Sequence, residues 1–169
     1  IYLIAAPPHL GYEPMYDAND PSLLENEIFR YSGHMERASQ ASRRGDWEEA
    51  RAQLVEAIRI DRTHAASWHQ LGLALEKLGR NPEAWKALEQ ALLLDLSRKR
   101  SLPSYSDLAG RLCEELGCRA LDLMPKLEED FTEQGLEVYD RRWGDHEHLT
   151  PEGCDWVARA FAELAAEQR

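Results

Sequence analysis

A motif in the middle of the chain occurs twice, 34 residues apart, and this spacing constrains the fold more than any other feature. Residues 45–50 read Gly-Asp-Trp-Glu-Glu-Ala and residues 79–84 read Gly-Arg-Asn-Pro-Glu-Ala. At the same offset Ala57 matches Ala91. Repeats of this length are supersecondary units that bury their apolar faces by stacking on one another. The repeat therefore predicts pairs of antiparallel helices.

The residue types at these positions suit close packing of two helices. Small residues such as Ala50, Ala84 and Gly72 let antiparallel helices approach, and Trp68 and Leu88 fill the space between them. In spacing and residue types the chain resembles the tetratricopeptide (TPR) repeat, which is a helix-turn-helix unit. The resemblance implies two helix pairs, and the register breaks before a third.

The helix pairs are predicted at approximately 31–64 and 65–98, within a helical region that spans 21–97. TPR arrays often bind peptides on the concave surface lined by the first helix of each pair. The resemblance places six residues on that surface: Met35, Ser39, Ser42, His69, Leu73 and Glu76. A protein or peptide partner is one expectation. The other is that an insert of two repeats simply packs on its host domain.

The residues on either side of the repeats read as α/β structure. Residues 1–6 form a continuous apolar run ended by two prolines, which is typical of a strand buried on both faces. Residues 119–123 predict a second short buried strand. Helices are predicted at 21–30, 104–116, 125–134 and from Thr150-Pro151 to about Glu167.

The domain assignment follows from this order of elements. We assign 1–20 and 98–169 to one discontinuous, incomplete α/β portion, a partial parallel sheet flanked by helices. The helical region 21–97 is inserted into it, and the chain is predicted to be predominantly helical overall.

A short loop before the last predicted helix carries an aspartate and a histidine. Asp145 and His148 stand three residues apart and are followed by Thr-Pro-Glu-Gly at 150–153. A carboxylate beside an imidazole can fix the tautomer of the ring and stabilise the cation that forms during proton transfer. The two side chains are therefore candidates for the base half of a Ser-His-Asp hydrolase site.

Residues 118–167 resemble the C-terminal part of an SGNH (GDSL-like) hydrolase. The likeness rests on the strand with Leu121-Asp122-Leu123, the helix after it, and the Asp145-x-x-His148 loop before a long helix. The opening strand with Ala6-Pro7-Pro8 is also similar. The resemblance implies that His148 is the general base and Asp145 its orienting carboxylate. It also implies ester hydrolysis or acyl transfer without a metal or organic cofactor.

The nucleophile that this family requires is missing from the chain. The family's serine lies in an early Gly-Asp-Ser turn, whereas Gly45-Asp46 is followed by Trp47. We therefore expect the serine, and the Gly and Asn that help to bind the oxyanion, in an upstream part of the same protein.

Two further interpretations concern the same part of the chain. A metal ion could take its ligands from the loop, because aspartate, glutamate and histidine all ligate zinc; the four candidates are Asp145, His146, Glu147 and His148. Exposed aromatic rings could bind a carbohydrate, and the candidates are Tyr105, Trp143 and Trp156.

Composition argues against several classes of protein. The net charge is −11 without a positive stripe, which argues against a nucleic-acid partner. No apolar run approaches the roughly 18 residues of a membrane span. The three cysteines contain no CxxC pair, and we expect Cys113 and Cys118 to stay unpaired because bridging them would cost local helix.

Two functions from different classes follow. The leading prediction is the C-terminal portion of an SGNH-like ester hydrolase or acyltransferase with a TPR insertion for protein interaction. The alternative is a non-enzymatic TPR adaptor with a degenerate hydrolase-like flank. The sequence specifies no compartment: the cytoplasm is the default expectation, and an extracytoplasmic location stays open because the chain starts inside a strand-like run.

Overall fold

The structure, a computed structural model, describes residues 2–5, 9–97, 104–145 and 148–167. In these ranges the chain forms two short strands and eight helices. In chain order they are β1 (Tyr2–Ala5), α1 (Glu25–Arg43), α2 (Trp47–Ile60), α3 (Ala65–Lys77), α4 (Asn81–Leu94), α5 (Ser104–Leu116), β2 (Arg119–Asp122), α6 (Met124–Gln134), α7 (Glu137–Arg142) and α8 (Pro151–Glu167). The chain is predominantly helical, as predicted.

The chain divides into two compact units. One comprises residues 1–9 and 98–169, and the other, here called the helical unit, comprises residues 10–97. None of the helices in the described ranges combines the length and the apolar character that a bilayer-crossing helix requires.

The helical unit consists of two helix-turn-helix pairs, α1 with α2 and α3 with α4. Both turns are closed by a glycine, since Gly45 and Gly79 have φ angles of 75° and 71°, a region that strains other residues. The amide of Asp46 donates to the carbonyl of Ala41 at 3.0 Å, and the equivalent amide of Arg80 donates to that of Leu75 at 2.9 Å. Asp46 then accepts a hydrogen bond from the amide of Glu49 at 3.2 Å and caps α2.

Equivalent positions of the two repeats form the core of this unit. Leu54 and Leu88 are fully buried, and so are the small residues one turn before and after each of them, Ala50, Ala57, Ala84 and Ala91. Two aromatic residues also belong to this core, Trp85 at 2% exposure and Tyr31 at 5%. Trp68, predicted to fill the space between the helices, is half-buried instead, and its indole N–H donates to the carbonyl oxygen of Arg62 at 2.9 Å.

Residues 11–20, here called the strap, belong to the helical unit, although the sequence was assigned to the α/β portion up to residue 20. The strap is bound by two aspartates that stand 34 residues apart in equivalent loops. Asp61 accepts from the side chain of Asn19 at 2.9 Å and from the amide of Asp20 at 3.1 Å. Asp95 accepts from two strap amides at 3.0 and 3.2 Å.

The helix predicted at 21–30 is not a separate element. The Asp20 carboxylate accepts hydrogen bonds from the amide and the hydroxyl of Ser22 at 2.8 and 2.7 Å. These bonds stabilise a turn rather than the start of a helix. The helix begins at Glu25, where the side chain of Glu27 accepts from the amide of Leu24 at 2.9 Å, and it continues into the first repeat.

The second unit contains one pair of parallel strands. β1 and β2 pair in register, with Leu3 opposite Ala120, and α5 packs against both strands. The second strand was predicted to be buried; Leu121 is buried, whereas Arg119 and Asp122 are exposed, so the prediction holds for the leucine and not for the strand as a whole. The described residues show these two strands and not the larger parallel sheet that the hydrolase resemblance implies.

Helices supply most of the core of this unit. Buried side chains come from α6 and α7, including Leu127, Phe131, Val138 and Tyr139, each 0% exposed. Helix α6 begins at Met124 with a proline in its first turn and ends at Gln134, where Gly135 is its C-cap. These bounds are close to the prediction. Helix α7 was not predicted.

The end of α5 carries a disulfide between Cys113 and Cys118, so the expectation of unpaired thiols there was wrong. Gly117 has a φ of 64°, and the amide of Cys118 donates to the carbonyl of Cys113 at 3.0 Å. In this turn the residue after the glycine folds back over the last helical turn, where the two side chains normally make an apolar contact. Here that contact is the disulfide, and the helix stays intact.

Candidate functional site

The loop from α7 to α8 places Asp145 beside His148. The Nδ1 atom of His148 lies 2.8 Å from Oδ2 of Asp145, and the histidine amide donates to Oδ1 of the same carboxylate at 2.8 Å. The imidazole is 77% exposed and the carboxylate 47% exposed. The structure therefore brings the two predicted residues together in the geometry of an imidazole oriented by a carboxylate.

Backbone contacts fix this loop at both ends. The amide of Gly144 donates to the carbonyl of His148 at 2.8 Å. The amide of Thr150 donates to the carbonyl of Arg142 at 2.9 Å. Gly153 is required for this closure, because a Cβ there would lie 2.0 Å from the carbonyl oxygen of Arg142. The Thr-Pro-Glu-Gly sequence thus ties the start of α8 to the end of α7.

A partly buried ion pair links α7 to α6, and a hydrogen bond from α8 joins it. Arg142 and Asp130 approach to 2.7 Å, and the indole N–H of Trp156 donates to the same Asp130 oxygen at 2.8 Å. The guanidinium also lies 4.5 Å above the Trp156 ring, at cation–π distance. Trp143 and Trp156 are 6% and 5% exposed, so the predicted carbohydrate surface is wrong for both.

A metal site is not supported by the described part of the chain, which contains no group of three or more potential ligand side chains. Of the four residues considered for such a site, Asp145 and His148 bond to each other. His146 and Glu147 lie outside the described residues.

The helical unit carries an open pocket on the face shared by α1 and α3. Its volume is about 310 Å³, and its lining residues are Ser39, Ser42, Arg43, Trp47, Gln70, Leu73 and Lys77. Trp47 and Leu73 supply apolar surface, while Arg43 and Lys77 supply two positive charges. The pocket can therefore bind a ligand that is apolar at one point and charged or polar at another.

The six residues predicted for the concave surface divide into two sets. Ser39, Ser42 and Leu73 line the pocket. The other three do not line it. The sulfur of Met35 lies 3.5 Å from the hydroxyl of Ser67, and His69 is 5% exposed. Glu76 forms an ion pair with Lys77 at 3.1 Å.

Four lining residues were missed by sequence reasoning. Gln70 and Lys77 stand three residues before and four residues after Leu73, so helical periodicity could have identified them. Arg43 follows Ser39 by one turn in the same way. Trp47 belongs to the second helix of its pair, which the repeat pattern assigns to packing, and no sequence signal placed it here.

The strap covers the other end of α3. Oδ1 and Oδ2 of Asp17 accept from the amides of Ala65 and Ala66 at 2.9 and 2.6 Å, and its carboxylate lies 2.7 Å from Nδ1 of His64. The Nε2 atom of His69 lies 3.0 Å from the strap carbonyl of Gly11. The N-terminal end of α3 and His69 are therefore contacted by a segment of the chain itself.

Beneath the strap, a buried hydrogen bond joins α1 to α3. The hydroxyls of Tyr31 and Ser67 lie 2.7 Å apart. Burial raises the pKa of Tyr31 well above its usual value, more than the Ser67 hydrogen bond lowers it. This tyrosine is a neutral structural group at physiological pH.

Residues 43–79 match the family model described as a TPR repeat. This part of the helical unit is therefore similar to a TPR repeat. The matched segment runs from the end of α1 through α2 and α3, and so includes the turn closed by Gly45. No curated protein and no solved structure matches the chain. The comparisons thus support the helical repeat and give no support to a hydrolase portion.

In the helical unit, the pocket and the strap contact the same helix, α3. His69 lies under the strap, and Leu73, one turn later, lines the open pocket. The polar contact to the strap and the apolar lining of the pocket therefore lie one helical turn apart on α3.

Proposed function

We propose that the chain acts as a non-enzymatic TPR adaptor whose helical unit binds a segment of a partner protein. The single observation that carries this proposal is the open pocket of about 310 Å³ between α1 and α3. The TPR match and the strap support it, since the strap occupies the adjoining part of α3 as a peptide does.

Recognition would combine apolar burial with polar contacts. Leu73 and Trp47 are half-buried, so a ligand side chain placed against them removes further apolar area from water. Ser39, Ser42 and Gln70 supply hydrogen-bonding groups that can fix the orientation of the ligand.

The test is a selection of random twelve-residue peptides on the immobilised protein, followed by fluorescence anisotropy with the selected peptides. We expect Leu73→Gln to weaken their binding at least tenfold. The matched control is Leu93→Gln, because Leu93 is an exposed leucine on α4 outside this pocket, and it should leave binding unchanged. Binding that is insensitive to Leu73→Gln, or no selected peptide at all, would overturn the proposal.

A second candidate function is favoured by the Asp145–His148 pair. Its Nδ1 contact to the carboxylate is the one that orients the base of a Ser-His-Asp site, so proton exchange with a nucleophile would proceed through Nε2. In this second proposal, the pair is the base half of an ester hydrolase or acyltransferase whose serine lies outside residues 1–169.

Ester turnover by the natural protein containing these residues tests this second function. His148→Ala should abolish hydrolysis of p-nitrophenyl butyrate and labelling by a fluorophosphonate that reacts with activated serines. His34→Ala is the control, because His34 lies on α1 in the helical unit and bonds Gln53 at 2.8 Å. Equal turnover by wild type and His148→Ala would exclude the pair from catalysis.

A further inference from the structure

The TPR pocket is positively charged at two equivalent positions. Arg43 and Lys77 stand 34 residues apart, in the last turns of α1 and α3, and both line the pocket. The lining residues include no aspartate or glutamate. This local charge is opposite in sign to the net charge of the chain, which is −11.

The described contacts leave this positive charge largely available to a ligand. Nη2 of Arg43 donates to the neutral hydroxyl of Ser39 at 3.2 Å. Lys77 has a carboxylate neighbour in Glu76 at 3.1 Å, and its side chain is 53% exposed. With one neighbouring carboxylate for two cations, the pocket keeps a net positive charge, and exposed cations of this kind attract anionic groups from solution.

The pocket has apolar surface in addition to the two cations. Trp47 and Leu73 are half-buried and carry most of it. A ligand that contacts the whole pocket therefore needs at least one apolar side chain as well as anionic groups.

We propose that the partner segment is an acidic peptide with an apolar anchor, its carboxylates at Arg43 and Lys77 and its anchor against Trp47 and Leu73. This inference rests on the proposed function of the same pocket and adds the chemistry of the partner. Carboxylates can form charge-assisted hydrogen bonds with the guanidinium and the ammonium group. Electrostatic complementarity then selects the partner and increases its rate of association.

Three sets of blocked eight-residue peptides with one central leucine test the inference. The sets carry aspartate and glutamate, asparagine and glutamine, or lysine and arginine around that leucine, and binding is measured by fluorescence anisotropy. We expect the acidic set to bind at least tenfold more tightly than the amide set at low salt. That preference should shrink as ionic strength rises, because salt screens exposed charges.

The double variant Arg43→Glu/Lys77→Glu should abolish the preference for acidic peptides. Its control is Arg30→Glu/Lys86→Glu, which makes the same change in net charge at exposed sites outside the pocket and should keep the preference. Circular dichroism establishes that both variants fold.

Three results would overturn the inference. The first is equal binding of the acidic and amide sets that still depends on Leu73, which leaves the proposed function standing. The second is an equal loss of acidic binding in both double variants, which would make the effect one of net charge alone. The third is self-association of the chain that Arg43→Glu/Lys77→Glu removes, which would make a second copy the occupant.

Discussion

Asp17 lies 2.7 Å from His64, and its two carboxylate oxygens accept the amides of Ala65 and Ala66 at the start of α3. His64 stands at the N-cap position without a side-chain capping bond of its own. The strap therefore supplies the cap of a helix that begins 48 residues later in the chain.

Replacing Asp17 should lower the stability of the helical unit. Asp17→Ala removes both capping bonds and the contact to His64, and we expect a loss of about 1–2 kcal/mol in the free energy of unfolding. The measurement is urea denaturation followed by circular dichroism. Glu25→Ala, which removes an exposed carboxylate from the first turn of α1, should cost less than about 0.5 kcal/mol. Equal losses in the two variants would show that the strap does not cap α3.

Asp61 should make stability depend on pH. Burial on its own raises the pKa of Asp61, but hydrogen bonds from Asn19, Thr63 and Asp20 outweigh it and hold the pKa below its ordinary value of 3.8. Since the folded-state pKa is lowered, its stabilisation is present above pH 3.8 and is lost as pH falls through the folded value.

The variant Asp61→Asn isolates this contribution. At pH 7 we expect it to be about 1–3 kcal/mol less stable than wild type, because buried hydrogen bonds to a charged acceptor are lost or weakened. The difference should shrink as the pH is lowered from 5 to 2 in urea denaturation experiments. A difference that stays constant across this range would contradict the assigned pKa shift.

Adding a side chain at Gly153 should lower the stability of the protein. In Gly153→Ala the new Cβ would meet the carbonyl oxygen of Arg142, and relieving this overlap should cost about 1–3 kcal/mol of stability. Gly110→Ala is the matched control, because a Cβ at this glycine of α5 would meet no atom within 4 Å. It should be neutral or stabilise the helix by up to about 1 kcal/mol. Thermal unfolding of the two variants gives the comparison, and similar melting temperatures would count against the described loop closure.

Thiol counting tests the disulfide. Without reductant, a maleimide should modify one thiol of the native protein, Cys154, which is exposed and free. After reduction and unfolding it should modify all three cysteines. Cys154→Ser should then carry no reactive thiol before reduction, and any labelling of that variant would show that Cys113 and Cys118 are not joined.

The helix pairs could be predicted from sequence because their determinants are local. Ala50, Leu54 and Ala57 recur as Ala84, Leu88 and Ala91 on one helix face. A glycine with a positive φ angle closes the turn within each pair of helices. The core positions follow from this period without knowledge of the rest of the chain.

The strap could not be predicted in the same way. Its bonds to Asp95 come from backbone amides, which every residue except proline carries, so no side-chain pattern marks them. The disulfide was missed because it depends on a turn. Gly117 brings Cys118 back over the end of α5, whereas in a continuous helix the two cysteines would not lie side by side.

One candidate site depends on local sequence and the other on the three-dimensional arrangement. The spacing of Asp145 and His148 was enough to bring their side chains together, because the contact spans one short loop. The TPR pocket needed the three-dimensional arrangement, since Trp47 reaches it from α2 while Leu73 reaches it from α3.

The placement of Asp61 and Asp95 has a consequence for how the repeat array can evolve. Each repeat ends in an aspartate that anchors its own stretch of strap, so the strap is matched to an array of two. A duplicated repeat would add a third such carboxylate with no strap residues to bind it. The strap therefore provides hydrogen-bond donors for the terminal aspartates of two repeats, and a third repeat would need donors from elsewhere.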